Sequence, residues 1–191
     1  MKRSRKTKTA RQSPVKQAEP ASLSNPLEKL RLRIAHSADY FHSFDIGSTP
    51  FRIAAGIICS NCMDEKSGTS YVRLAHGKSD APSRGPTDGY SIRLPDTIEA
   101  AASGGRVLVN VVARAAGCAQ SRFALAYSTN EVGNSGWRWQ EAGPDWSVYT
   151  IEYDVPAMIK GKGDFVGILP DVEGRPGTEF TYLSVNTAQH P

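Results

Sequence analysis

Cysteine, histidine and long apolar runs are all scarce in this chain, and each shortage excludes something. Its 191 residues hold three Cys and four His. Cys59 and Cys62 form C-S-N-C and Cys118 stands alone. An odd count with this spacing argues against a disulfide framework. A structural zinc site lacks its second CxxC or HxxxH pair, and the nearest approach to one would join Cys59, Cys62 and His76. A thioredoxin-type motif belongs between a strand and a helix, whereas a polar Gly/Ser stretch follows here. The expectation is three free thiols. The four His (His36, His42, His76 and His190) form no HExxH and no HxH pair. Neither a G-x-S-x-G elbow nor a phosphate-binding Gly-rich loop is present, so nucleophilic and nucleotide-dependent chemistry have no visible constellation. The best apolar run, Phe51 to Cys59, is interrupted by Arg52 and Gly56. It falls well short of the roughly 18 residues of a membrane span.

Charge is present but unevenly placed. Of 23 Lys/Arg and 19 Asp/Glu, ten Lys/Arg and two Glu lie between Met1 and Arg33, which gives +8, and the remainder sums to −4. The pI near 9.0 therefore describes a leader and not a domain. Met1 to Pro26 is polar, basic and poor in aromatics, so it cannot bury enough apolar surface to offset its ordering entropy and reads as disordered. It also lacks the apolar stretch of a secretory signal, which predicts a cytoplasmic or non-classically exported protein. Nucleic acid is not an expected partner except through this tail. The expected division is a tail over 1–32 and one domain over 33–191.

From Tyr40 onward the pattern is β. Candidate strands are Tyr40–Asp45, Phe51–Ser60, Ser70–His76, Gly89–Leu94, Arg106–Ala115, Arg122–Thr129, Gly136–Glu141, Ser147–Val155, Asp164–Leu169 and Thr178–Asn186, separated by Gly-, Pro- and Asp-rich turns. Val107, Val109, Val111 and Ala113 alternate with polar or outward positions. So do Phe123, Leu125 and Tyr127, and Tyr149, Ile151, Tyr153 and Val155. Pro95–Ser103 predicts one short helix, with Asp96 and Glu99 as a capping box and Gly104 as the stop. Leu27, Leu30 and Ile34 fit a helix, while Leu30, Leu32 and Ile34 fit a strand, so Pro26–Ile34 stays ambiguous. The fold class expected is all-β, a two-sheet antiparallel sandwich of jelly-roll type with one short helix and a disordered N-terminal tail.

The densest chemistry lies between Tyr127 and Tyr153, which holds all three Trp. Trp137 and Trp139 are two apart and share a strand face, with Arg138 on the other. Asn130, Glu131 and Asn134 precede them and can bond hydroxyls. Flat aromatic faces beside amide, carboxylate and guanidinium groups suit a sugar, whose C–H face packs on indole while its hydroxyls pair with the polar groups. The candidate binding set is Trp137, Trp139, Asn130, Glu131, Asn134 and Arg138. Two other uses of the loop acids are open. Asp171, Glu173 and Glu179 offer oxygens for a structural calcium, and paired carboxylates among them serve a polysaccharide-active enzyme.

Several segments together resemble a family. The Val-rich strand Arg106–Ala113 leads to Phe123–Tyr127. Trp146, Tyr149, Tyr153, Val155 and Pro156 then follow in a W-x-x-Y-x-x-x-Y-x-V-P pattern. Ile168 and Pro170 close the next strand, and Glu179–Val185 ends the series. This run, about Gly89 to Thr187, resembles the C-terminal part of jelly-roll carbohydrate-binding modules and galactose-binding-like domains. The resemblance implies a sandwich and a non-catalytic, lectin-like role with a carbohydrate ligand. The alternative of a different class is a structural or protein-interaction sandwich.

Overall fold

The computed structural model describes residues 25–48, 50–77, 89–171 and 176–189. The basic leader up to residue 24, and with it the expectation of disorder there, lies outside the described residues. So does Glu173.

Twelve strands and two helices follow one another along the chain: α1 Pro26–Ala35, β1 Tyr40–Ser43, β2 Arg52–Ile53, β3 Ile57–Met63, β4 Ser70–His76, β5 Tyr90–Arg93, α2 Asp96–Ala102, β6 Gly105–Ala115, β7 Ser121–Thr129, β8 Gly133–Asn134, β9 Arg138–Ala142, β10 Ser147–Asp154, β11 Asp164–Pro170 and β12 Thr178–Gln189. They form two antiparallel sheets. The first runs β10-β6-β12-β4-β3, with β1 also beside β12; the second runs β2-β5-β11-β7-β8, with β9 also beside β7.

Strand alternation closes the two sheets on one core. Val107, Val109, Val111 and Ala113 of β6 meet Phe123, Leu125 and Tyr127 of β7 across the sandwich, with Val166, Ile168, Phe180, Leu183 and Val185. Each is buried because its neighbours at odd spacing face outward. The expected strand Phe51–Ser60 is two strands, since Gly56 turns the chain at φ 88° and hands β2 and β3 to different sheets.

Among the described residues two helices are present where one was expected. In α1 the Asn25 side chain caps Leu27 N–H at 3.0 Å, and Pro26 supplies the preset first turn. Leu27 and Ile34 are buried on Val112 and Tyr182, on the outer face of the first sheet. The packed chain thus begins ahead of residue 33, because a helical reading of Pro26–Ile34 gives a buried stripe that a strand reading does not. The expected capping box of α2 does not form. Its N-cap is Pro95, with no side-chain cap bond. Asp96 instead pairs with Arg93 at 3.1 Å, and Glu99 turns away to a distant loop. Neither helix is long and apolar enough to cross a membrane.

Candidate functional site

The outer face of the second sheet is set by β7. Phe123, Leu125 and Tyr127 point inward, so Arg122, Ala124 and Ala126 point out. In the β7–β9 register Trp139 lies opposite Ala124 and Glu141 opposite Arg122. Trp139 is 41% exposed, and the Arg122 guanidinium sits 4.7 Å from its ring centroid. Gln120 donates to Glu141 Oε2 at 2.7 Å. An indole, a guanidinium, a carboxylate and an amide thus gather on one exposed rim. Phe51, 61% exposed, packs against Phe165 at 5.0 Å on the β2 side of the same sheet. The β9 and β2 sides are about 19 Å apart at one strand spacing per step.

Trp137 plays a different part. It is half-buried, and its ring reaches to Gly89, where a Cβ would lie 3.1 Å from the indole and 2.3 Å from Ile168 O. Gly89 therefore admits no side chain. Ala126 and Gly167 face each other across β7 and β11 and are buried, so the floor of the face is built of small residues. Trp146 lies on the other sheet, over Arg114 at 4.4 Å and edge-on to Tyr71 at 5.8 Å. It packs with α1.

The expected polar partners disperse. Asn134 lies opposite Ser128 and is exposed, but its side-chain oxygen accepts from Gly136 N–H at 2.8 Å. Arg138 falls opposite inward-facing Leu125, on the reverse phase from Trp139. Asn130 donates to Lys162 O at 3.2 Å. Glu131 accepts from the N–H groups of Ile159, Lys160 and Gly161. These amide donors, Ile159 first, hold its carboxyl below the usual range despite partial burial. Lys162 and Gly163 N–H donate to Glu99. The amides of residues 159–163 are thus all spent on two carboxylates, with Gly161 and Gly163 at positive φ. This loop and α2 border an open cleft of about 600 Å³ at one end of the sandwich, lined by Arg93, Asp96, Lys160 and Lys162 among others.

Beneath that loop Asp164 is fully buried. Tyr127 donates its hydroxyl to Asp164 Oδ2, while Oδ1 has no hydrogen-bond partner. Burial, and then the nearby Glu99 charge, push Asp164 up to about 6 against the pull of the Tyr127 hydrogen bond.

The metal expectations do not assemble. Glu179 is buried on the outer face of the first sheet, where Arg73 (3.0 Å) and Arg114 (2.6 Å) take its two oxygens. Asp171 lies just past β11, on the other sheet. Cys59 and Cys62 alternate to opposite faces of β3, opposite Leu74 and Tyr71, and all three thiols are free. Among the described residues no group of three His, Cys, Asp or Glu could hold a metal ion.

Sequence reasoning missed Arg122, Glu141 and Gln120. The signal was available in part: inward Phe123 puts Arg122 on the outer face, but only the β7–β9 register brings it to Trp139.

No protein-family model matches the chain, and no curated protein does. Solved structures do. The CBM22-1 xylan-binding domain of Paenibacillus barcinonensis Xyn10C aligns at TM-score 0.53 and 12% identity, over 81% of this chain and 98% of that one. The tandem CBM22-1–CBM22-2 domain of the same protein aligns at TM-score 0.56 and 12% identity, over 81% of this chain and 47% of that one. The CBM22-1–GH10 modules of Clostridium thermocellum xylanase 10B, complexed with xylohexaose, align at TM-score 0.51 and 13% identity, over 78% of this chain and 28% of that one. With its two antiparallel sheets and continuous core, the chain has the jelly-roll β-sandwich fold of carbohydrate-binding modules.

Proposed function

We propose that this domain binds carbohydrate without transforming it, at the outer rim of the second sheet. The observation that carries the reading is the exposed Trp139 indole flanked by Arg122, Glu141 and Gln120. A pyranose stacked on the indole face opposite the Arg122 guanidinium would bury its C–H face there, with its equatorial hydroxyls toward groups that both donate and accept. Trp137, two residues before Trp139, packs at Gly89, just ahead of β5 of the same sheet. The non-catalytic part is supported by the work that acids of the first sheet, and those that hold the 159–163 loop, already do. Glu99 and Glu131 hold backbone amides, Glu179 holds two arginines, and Glu152 and Asp154 pair with Arg106.

The test is titration of a panel of oligosaccharides and soluble polysaccharides, read by calorimetry and by tryptophan fluorescence. Trp139→Ala is expected to weaken binding about tenfold or more, because the lost ring contact exceeds about 1.4 kcal/mol. Its melting temperature should stay near that of the parent. A panel with no binder at all, or binding that Trp139→Ala leaves intact, would overturn the reading.

A further inference from the structure

The outer strands of the two sheets are not protected equally. Exposed strand edges template pairing with another chain unless charge, proline or shortness blunts them. β10 carries Glu152 and Asp154, β9 carries Arg138 and Glu141, and β2 is two residues long and includes Arg52. β3 has none of these devices. Its seven residues, IICSNCM, contain no Lys, Arg, Asp, Glu or Pro. Among the described residues its only strand partner is β4. Ile58 is 55% exposed and Met63 54%.

The hydrogen-bond phase of this edge can be read directly. Gly77 N–H donates to Gly56 O at 2.6 Å and Asp64 N–H to Thr69 O at 2.9 Å. These bonds continue the register that pairs Ile57 with His76 and Met63 with Ser70. Even-numbered residues of β3 therefore bond to β4, and the N–H and C=O groups of Ile57, Cys59, Asn61 and Met63 point to the free side. The Ile57 N–H is already given to Ala54 O, while its carbonyl remains for a neighbour.

We propose that β3 pairs antiparallel with β3 of a second copy of this chain, about a two-fold axis at Ser60. This register pairs the whole strand with itself. Cys59 and Asn61 of the partner copy exchange both main-chain hydrogen bonds, and the Ile57 carbonyl accepts from Met63. Every pair with outward-pointing groups thus falls on another such pair, which a shift by one residue would not allow. Side chains match as well. Ile57 meets Met63, Ile58 meets Cys62, Ser60 meets Ser60, and no charges are juxtaposed. The contact is self-complementary, as a closed two-fold dimer requires. It lies on the first sheet and is independent of what the second sheet binds.

Sedimentation velocity over a hundredfold concentration range tests the pairing. The parent chain is expected to shift from monomer to dimer. Ile58→Lys, at an exposed position, should weaken the dimer about tenfold or more by removing apolar contact and placing a cation on the seam. Asn61→Pro deletes an N–H that β4 does not use and should act the same way; circular dichroism checks that both variants fold. In Ser60→Cys the two introduced thiols face each other with Cα atoms about 4.5 Å apart, within disulfide reach. Mild oxidation should therefore yield a cross-linked dimer that peptide mapping assigns to position 60. A parent chain monomeric at every concentration overturns the proposal. So does a dimer that folded Ile58→Lys and Asn61→Pro leave unchanged, or one in which Ser60→Cys gives no cross-link at that position.

Discussion

At Asp164 a single buried carboxyl sets a pH dependence for the whole domain. Its burial and the Glu99 charge raise it from 3.8 to about 6, so the folded state binds its proton more tightly than the unfolded chain does. The resulting stability is fully present below about pH 4 and is lost as pH rises through about 6. A shift of about two units corresponds to about 3 kcal/mol. Asp164→Asn keeps a neutral group beside Tyr127. It is expected to flatten the fall in melting temperature between about pH 4 and 7 and to raise stability at pH 8. Thermal melts of both proteins across that range check this, and equal slopes would remove Asp164 as the source. Glu131 works in the opposite direction. Its lowered carboxyl contributes above the ordinary carboxylate range and loses that contribution as the solution is acidified, which bounds the window from below. At the other Trp positions the local sequence said less than the packing. Trp137 and Trp139 alternate identically, yet one is pressed against Gly89 and the other is 41% exposed beneath Arg122. The difference comes from a glycine almost fifty positions away in sequence.

The strands were legible as elements because alternation is a local property. Val107 to Ala113, Phe123 to Tyr127 and Tyr149 to Val155 each carry their own inward phase, and the sandwich follows from adding those phases together. What alternation leaves out is register. Glu141 shares the Trp139 face by alternation within β9, but Arg122 reaches that indole only because β7 and β9 pair as they do, a non-local fact. The nearby Asn130 and Glu131 looked equally suited by proximity, and they are spent on the loop instead. Glu99 misled for a similar reason. Three residues after Asp96 it has the spacing of a capping partner, but two amides of the 159–163 loop outcompete the helix end. That loop provides an element-scale prediction. Its amides are anchored on Glu131 and Glu99 while Ile159 is nearly fully exposed. Glu131→Ala is expected to speed amide hydrogen exchange at residues 159–161 severalfold or more while leaving 162 and 163, held by Glu99, close to their parent rates. Uniform acceleration across all five would show that the two carboxylates do not anchor separate halves.

For the molecule as a whole, the two sheets carry different features. The first carries α1, the buried Glu179 with its two arginines, and the uncharged β3 edge. The second carries the Trp139 rim. A two-fold axis normal to the first sheet would keep the second sheets of both copies on the same side of the assembly, so both rims would face one direction. A polysaccharide with repeated units would then meet two rims at once, and its second contact would be made at high effective concentration. Valency, more than the strength of one rim, would set retention on an insoluble or long-chain ligand. The parent chain is therefore expected to favour long polymers over short oligosaccharides by more than Ile58→Lys does, with both equal on a ligand too short to span the pair. An edge strand without charge, on the face away from the aromatic rim, would in this way govern how firmly the domain stays on a surface.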